Sequence, residues 1–264
     1  MACLAYINAD DFGWDENRTK AIIAAARAGL ITTTTAMVNM PWFDKAISLA
    51  RGTSLWPHIG LHLCLTEGCP LTETIKKSKL FCDAEGNFTG VFHRSLKSRL
   101  YLPAFERAAV LEEAEAQMRR YLSTGLPMLH LDSHHHAHTD YSIASLVLPL
   151  AARLGFKTVR MSRNFGLGLT SVKRVYKCFV NAYIRRYLPF HVDYFCSYND
   201  LSARWFRIPE GARVEMMVHP LYRSVDDGTL DLHGTFMDHR TPMSELVAFL
   251  SERKSDIKVV SPSL

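Results

Sequence analysis

The chain has 264 residues, enough for one large domain or two small ones, of which 48% are hydrophobic and 22% charged. These values are ordinary for a globular core with a solvated surface and exclude disorder by composition. The formal net charge is +5. Nucleic-acid-binding proteins usually cluster their basic residues, whereas Lys and Arg occur throughout this chain, so we expect no nucleic-acid partner.

Short apolar runs alternate with helical patterns along the whole chain. Asp15 is a plausible N-cap for the first helix, and Gly29 is a plausible stop. The predicted strands cover 3–9, 30–39, 58–65, 127–133, 157–162, 192–197, 213–220 and 257–261. The predicted helices cover 15–29, 42–51, 104–125, 142–155, 171–187, a short piece near 200–206, and 242–253.

About eight strand–helix alternations without a break in composition favour parallel strands covered by helices. The count and length predict a single-domain α/β protein over 1–264, a distorted, TIM-barrel-like (β/α) barrel, rather than an open doubly wound sheet. No G-x-G-x-x-G follows the first strand, which also disfavours a dinucleotide-binding fold. Residues 66–103 lack clear periodicity, and we predict that they form an irregular insert, either a functional lid or an insertion.

Six cysteines are scattered without a C-x-x-C pair, which is typical of free thiols in a reducing cytosol. The N-terminal apolar stretch is too short for a signal peptide, and no window approaches a membrane span. We therefore predict a cytoplasmic protein with no membrane partner. The basic stretch 173–186 is interpreted as an amphipathic helix with a basic outer face, in preference to a surface for an anionic partner or a membrane.

Polar residues gather where the predicted strands end. In a (β/α) barrel the chemistry lies at the C-terminal ends of the strands, so residues far apart in sequence would meet there. The residues concerned are Asp10 and Asp11, His62, the cluster around His134, and His219. Five of the twelve histidines fall within 130–138, which packing alone does not explain and which suggests a metal site, a proton-transfer apparatus, or both.

The adjacent carboxylates of Asp10 and Asp11 would repel each other unless a divalent ion relieves the repulsion. They could instead simply cap the turn that follows. His62 could be a buried histidine satisfied by a backbone carbonyl, but the other polar residues on the same rim favour a metal ligand. One carboxylate and two imidazoles, with His134 as the preferred second imidazole, leave positions open for water and substrate, as in catalytic sites.

Other residues near the cluster have alternative roles open. His130 and Asp132 share one strand face and could orient the ligands or the base. His136 and His138 could line the cleft or lie on a surface loop. Trp14 could stack on a sugar ring, although an ordinary core or rim position explains it as well.

Four motifs together resemble the YdjC-like carbohydrate deacetylases, a family that includes the chitooligosaccharide deacetylases. They are INADDFG at the N-terminus, IGLHLCLTEGCPL at 59–71, LHLDSHHHAH at 129–138 and MMVHP at 216–220. The match extends from the first strand to about residue 220. One departure is the sequence GWDEN after the paired aspartates, where relatives more often carry a smaller apolar residue and a serine.

The resemblance implies a distorted (β/α) barrel, as in the polysaccharide deacetylases, with one divalent metal held by Asp11, His62 and His134. Asp10 would then be the catalytic base and His219 the general acid. The resemblance favours Mg²⁺, whereas two imidazoles favour Zn²⁺ or another transition metal. A homodimer is also a family-level expectation.

The expected reaction is metal-dependent removal of N-acetyl groups from amino sugars or short chitooligosaccharides. Two alternatives stay open at this point. One is another metal-dependent hydrolase, a phosphoesterase or amidase, acting on a non-sugar substrate. The other is a non-catalytic protein that binds a metal or a sugar, which the presence of both Asp10 and His219 disfavours.

Overall fold

Strands and helices alternate along the chain in the computed structural model, which describes residues 2–166, 170–190, 192–222, 235–237 and 241–261. The strands are β1 (Cys3–Phe12), β2 (Thr33–Ala36), β3 (Ile59–Leu63), β4 (His130–Ser133), β5 (Thr158–Val159), β6 (Tyr194–Ser197), β7 (Arg213–Val218), β8 (Leu221–Tyr222), β9 (Thr235–Phe236) and β10 (Ile257–Val259). The helices are α1 (Glu16–Arg27), α2 (Phe43–Ala50), α3 (Glu73–Lys76), α4 (Val91–Arg94), α5 (Leu96–Leu100), α6 (Ala104–Leu122), α7 (Tyr141–Arg153), α8 (Ser171–Ile184), α9 (Tyr198–Arg204) and α10 (Met243–Glu252).

The main sheet is parallel and has the order β5-β4-β3-β2-β1-β7-β6, with β10 paired to the first residues of β1. Its two edges approach each other without a regular ladder: the Val159 N–H donates to the Pro189 carbonyl (3.3 Å), and the Phe165 N–H to the carbonyl of Phe195 in β6 (3.4 Å). The sheet therefore curls into a half-barrel with helices around it, which confirms the predicted α/β, barrel-like fold.

Local sequence explains where the elements start. The Asp15 side chain accepts a hydrogen bond from the Arg18 N–H (2.7 Å) and caps α1, as predicted. Ser197 and Asp200 form a reciprocal capping box at the start of α9. The centre of β1 carries Ala5, Ile7 and Ala9, all fully buried, because this strand has neighbours on both sides in the middle of the sheet.

Residues 66–103 contain three short helices, α3 to α5, and two buried polar residues of α6 hold the start of this segment and the residue just after β3. The Glu113 carboxylate accepts hydrogen bonds from the backbone N–H groups of Leu71 (3.0 Å) and Thr72 (2.8 Å). The Gln117 side chain bonds both the N–H (3.0 Å) and the carbonyl (2.7 Å) of Cys64. These bonds fix the first part of the segment as a wall beside β3, since breaking them would leave buried polar groups unpaired.

Among the helices that the structure describes, none combines the length and the apolar character required to cross a bilayer. All six cysteines are unpaired.

Candidate metal centre

The C-terminal ends of four strands bring the predicted site residues together. Asp10 and Asp11 lie near the end of β1, and His62 lies in β3. His134 directly follows β4, and His219 directly follows β7. Because parallel strands end at the same rim, residues up to 209 positions apart in sequence share one cleft.

Asp11, His62 and His134 form a buried cluster. Asp11 Oδ1 lies 3.0 Å from His134 Nδ1 and 3.3 Å from His62 Nε2. Each residue offers one ligand atom, and these atoms all lie within 4.8 Å of one another. The structure thus places the three predicted ligands within reach of one coordination sphere. Their role as ligands stays a prediction.

The donor set fits a divalent ion. His62 Nε2 and His134 Nε2 are both buried and have no hydrogen-bond partner within the described chain. A buried polar atom without a partner costs free energy, which a metal ligand bond would recover. Two further groups have the required spacing, Asp10–His62–Asp132 and Glu67–His134–His135.

Asp11–His62–His134 is a better candidate for a metal site than Asp10–His62–Asp132, because the carboxylates of Asp10 and Asp132 already bind a buried arginine. Arg160 Nη1 and Nη2 each donate to one oxygen of Asp10 at 2.7 Å, and Nη1 also lies 2.7 Å from Asp132 Oδ2. Arg160 Nε donates to Glu215 Oε1 at 2.6 Å. Arg160 itself is fully buried.

Asp132 holds His62 in a defined orientation. Asp132 Oδ1 lies 2.7 Å from His62 Nδ1, and the Thr35 hydroxyl donates to Asp132 Oδ2 at 3.0 Å. A proton on Nδ1 is therefore shared with a carboxylate, and Nε2 is left facing Asp11. Such a carboxylate behind an imidazole fixes the ring and raises its basicity as a ligand.

The carboxylates also set the charge of the cluster. Burial alone would lower the pKa of His62, but the charge of Asp132, its hydrogen bond to Nδ1 and the nearby Asp11 carboxylate raise it to about 10. Burial raises the pKa of Asp10, but the Arg160 guanidinium outweighs this effect and brings that pKa below its usual range. The cleft is therefore an environment that holds a positive charge, either as a proton on His62 or as a metal ion.

His219 lies on the opposite side of Asp10 from the histidine cluster in the strand order, because β7 and β2 flank β1. Its Nε2 is 3.9 Å from Asp10 Oδ2, and a third of its side chain is exposed. The Trp14 ring stands edge-on to His134, with ring centroids 5.0 Å apart. Both residues are therefore part of the cleft that the sequence predicts, and both reach its open side.

Three further histidines of the 130–138 segment are held by contacts with neighbouring residues. His138 is fully buried, accepts a hydrogen bond from the Ser133 hydroxyl (2.6 Å) and donates to the Arg160 carbonyl (2.9 Å), so it supports the loop from inside. His130 contacts the hydroxyl of Thr158 in β5 (2.8 Å). His136 packs edge-on against Phe195 and burial lowers its pKa.

Backbone strain concentrates at the same place. Among the residues that the structure describes, three non-glycine residues have positive φ: Asp11 (70°), His135 (53°) and His136 (56°). A left-handed conformation at such residues costs free energy. Its occurrence at Asp11 and in the loop beside the Asp11–His62–His134 cluster therefore points to a functional constraint.

Sequence reasoning missed Arg160, Glu215 and Glu67. Arg160 and Glu215 are single charged residues inside the apolar patterns KTVRMS and RVEMMV. A charge in a strand with buried faces must have a partner, and that signal could have paired them. Glu67 comes four residues after the end of β3, and its Oε1 lies 3.7 Å from His134 Nε2.

Fold and site together define a barrel-type protein with a candidate mononuclear metal centre. The model of the family described as YdjC-like protein matches residues 5–258. The chain belongs to this family.

The similar proteins named carbohydrate deacetylase come from several bacteria. The Geobacillus stearothermophilus protein is 31% identical over 221 residues, which cover 83% of this chain and 80% of the relative. The Brevibacillus brevis protein is 34% identical over 145 residues, which cover 55% of this chain and 54% of the relative. The Vibrio parahaemolyticus protein is 40% identical over 146 residues, which cover 54% of this chain and 53% of the relative. In these two cases the match therefore spans about half of the curated relative.

A crystal structure from Enterococcus faecalis V583 covers 99% of this chain with a TM-score of 0.68 at 23% sequence identity. That protein is provisionally named for cellobiose-phosphate cleavage. At this identity the likeness supports the fold alone.

Replacing Arg160 should destabilise the fold strongly. The variant Arg160→Met leaves three buried carboxylates without their shared cation, and such a change typically costs about 3–5 kcal/mol. Urea unfolding measures this loss in the free energy of unfolding. The matched control is Arg163→Met, whose partly exposed ion pair with Asp200 (3.1 Å) is worth about 1 kcal/mol or less. Equal losses in the two variants would contradict the central role of Arg160.

Metal binding should depend on His62 and His134 and should strengthen as pH rises. The raised pKa of His62 means that a metal ion must displace a proton, so the apparent affinity should increase about tenfold per pH unit between about pH 6 and pH 8. Calorimetric titration with Zn²⁺ and Mg²⁺ measures both the affinity and the protons released.

The variants His62→Gln and His134→Gln should lose the ion. His58→Gln is the matched control, because His58 lies just before β3, at the other end of the same strand. Retention of metal by both His62→Gln and His134→Gln would place the site elsewhere.

Proposed function

We propose that this protein is a metal-dependent carbohydrate deacetylase that hydrolyses N-acetyl groups of amino sugars or short chitooligosaccharides. The observation that carries the proposal is the buried Asp11–His62–His134 cluster beside the Asp10–His219 pair at one barrel rim. Family membership and relatives named carbohydrate deacetylase support the sugar amide as the substrate class.

Asp11, His62 and His134 would hold the metal. When bound, a divalent ion supplies a Lewis acid that acidifies water, with a pKa that falls from about 15.7 to about 7 in favourable zinc sites, and stabilises negative charge on the amide oxygen. Two imidazoles favour Zn²⁺ or a similar transition metal, while the family resemblance favours Mg²⁺. Calorimetric titration with each ion distinguishes these two expectations.

Asp10 would accept the proton of the attacking water. Its carboxylate is ionised and is held by two guanidinium hydrogen bonds and by Asn8 Nδ2, which donates to Oδ1 at 2.8 Å. A carboxylate with a lowered pKa is a weak base, so it serves this purpose only for a strongly acidified water. The same bonds hold Asp10 in place, which supports separate roles for the two aspartates, Asp10 as the base and Asp11 as a ligand.

His219 would protonate the leaving amine. An amine leaves poorly as an anion, so hydrolysis of the acetamide needs a proton donor at the nitrogen. His219 is partly exposed at the rim and adjacent to Asp10, so a substrate amide placed between the metal cluster and His219 can contact both. Trp14, beside His134, is available to contact the sugar ring.

The quaternary and cellular context is part of the proposal. Six unpaired cysteines fit a reducing compartment, and we propose a cytoplasmic location. The homodimer expected from the family stays a prediction. So does the single-domain organisation over 1–264.

Release of acetate tests the function. The purified protein is incubated with N-acetylated mono- and oligosaccharides, with and without chelator, and with metal restored. We expect acetate release that the chelator abolishes and that Zn²⁺ or Mg²⁺ restores. Absence of acetate from every sugar, together with phosphate release from phosphoesters, would favour the alternative hydrolase.

The assigned roles predict two different kinds of defect. Asp10→Asn and His219→Gln should each lower kcat by about 10²–10⁴-fold while metal content is unchanged. His62→Gln should lose activity together with the metal, and His58→Gln should keep both. A metal-free Asp10→Asn protein that is otherwise folded by circular dichroism would show that Asp10 is a ligand instead of the base.

A further inference from the structure

Helix α8 exposes an apolar face to solvent. Val172, Val175 and Phe179 are 80%, 71% and 57% exposed, and their spacing places them along one side of the helix. The side facing the core carries Val180 and Ile184, both buried. The amphipathic helix expected from the sequence is present and its basic residues Lys173 and Arg174 are exposed, but the outer side also carries an apolar row that the sequence interpretation did not include.

The apolar surface extends beyond α8. Tyr141, at the start of α7, contacts the Phe179 ring with centroids 6.2 Å apart. Helix α5 also exposes Leu96 (69%) and Leu100 (45%). We call the exposed surface of α5, Tyr141 and α8 the α5–α8 face. Single exposed apolar residues are common on proteins, but a continuous group of this kind indicates an interaction surface.

Positive charge surrounds this face. Residues 171–186 contain five Lys or Arg and no Asp or Glu, and residues 86–105 contain three Lys or Arg and no acid. A cleft of about 510 Å³ separates α5 from α8, and its lining includes Arg99, Arg163, Lys173 and Lys177. Arg99 and Arg163 pair with Asp140 and Asp200, but among the described residues no ion pair joins Lys173 or Lys177 to an acid.

The nearby positive charges disfavour the charged form of the Lys177 side chain. Burial, together with the charges of Arg163, Arg99 and Lys173, lowers the pKa of Lys177 to about 8. An ammonium group in such surroundings is stabilised by an incoming anion. The cleft therefore complements negatively charged groups.

An apolar row flanked by cations matches the physical requirements of a helix that lies in a lipid interface. Apolar side chains enter the boundary between headgroups and acyl chains, while Lys and Arg contact anionic headgroups. A second copy of this face would bring cations opposite cations and leave them without counter-charges. The charge pattern thus favours an anionic lipid surface over self-association.

We propose that the α5–α8 face docks reversibly onto an anionic membrane surface, with Val172, Val175 and Phe179 inserted and Lys173 and Arg174 on lipid phosphates. The cleft in this face also includes Thr139 and Ser162, which follow β4 and β5 at the C-terminal rim of the barrel. Docking would therefore bring the rim that carries the candidate metal centre next to the lipid headgroups. The proposal replaces the expectation of no membrane partner and does not depend on the deacetylase proposal.

Vesicle co-sedimentation tests this inference. The full chain is mixed with vesicles of phosphatidylcholine alone or with about 30 mol% phosphatidylglycerol, at low and at raised salt. We expect binding to the anionic vesicles that salt weakens, and little binding to neutral ones. Val175→Ser combined with Phe179→Ser should weaken the binding about tenfold or more, as should Lys173→Glu combined with Arg174→Glu.

The matched control is Phe206→Ser. Phe206 is 64% exposed and lines a different surface depression, together with Cys3 at the start of β1 and Asp256 just before β10. This variant should bind as the unmodified protein does, and circular dichroism should show that all variants are folded.

Three results would overturn the proposal. One is the absence of binding to both kinds of vesicle, and another is binding that the Val175 and Phe179 changes leave intact. The third is a dimer, seen by light scattering without vesicle binding, that dissociates on Phe179→Ser, because the face would then join two copies of the chain.

Discussion

The site depends on one buried guanidinium. Arg160 is fully buried inside the barrel and is surrounded by the carboxylates of Asp10, Asp132 and Glu215. An unpaired charge at this depth would cost several kcal/mol, so the four groups are stable only together. Because one cation faces three acids, full ionisation would leave an excess of negative charge. Burial and the charge of Asp132 raise the pKa of Glu215 to about 7, despite the opposing effect of Arg160, so the excess can be relieved there by a proton.

This network also explains how the fold specifies the geometry of the cleft. Asp10 belongs to β1, Asp132 to β4 and Glu215 to β7, while Arg160 follows the short edge strand β5. The guanidinium thus bridges the interior of the barrel, where regular strand pairing is incomplete between β5 and β6. Arg160 contacts the Asp11–His62–His134 cluster only indirectly, because it binds Asp132 and Asp132 orients His62. A change at Arg160 would therefore alter the surroundings of both Asp10, the proposed base, and His62, a proposed ligand.

Sequence patterns were sufficient for the fold and for the candidate ligands. The alternation of apolar runs and amphipathic stretches located most of the strands and helices, and strand ends predicted that Asp11, His62 and His134 would meet. Other features depend on tertiary contacts that a pattern does not contain. The role of Arg160 arises from acids 28 to 150 residues away. The start of 66–103 is held by Glu113 of α6, and α4 and α5 contact Asp140 through His93 and Arg99. For α8, periodicity indicated an amphipathic helix, but it could not show that the apolar residues on the far side from the core lack a covering element within the described chain.

The distribution of charge connects the interior with the surface. Residues 141–192 contain nine Lys or Arg and no Asp or Glu, so a chain with a net charge of +5 carries −4 on the remainder. Within the barrel the balance is local: Arg160 enters an acidic centre supplied by other strands, and that centre retains enough negative charge to hold a further cation near Asp11. On the surface, several of the basic residues around α8 lie beside exposed valine and phenylalanine with no matching acid in their own segment. Among the described residues no ion pair joins Lys173 or Lys177 to an acid, so an anionic molecule would complement this part of the α5–α8 face.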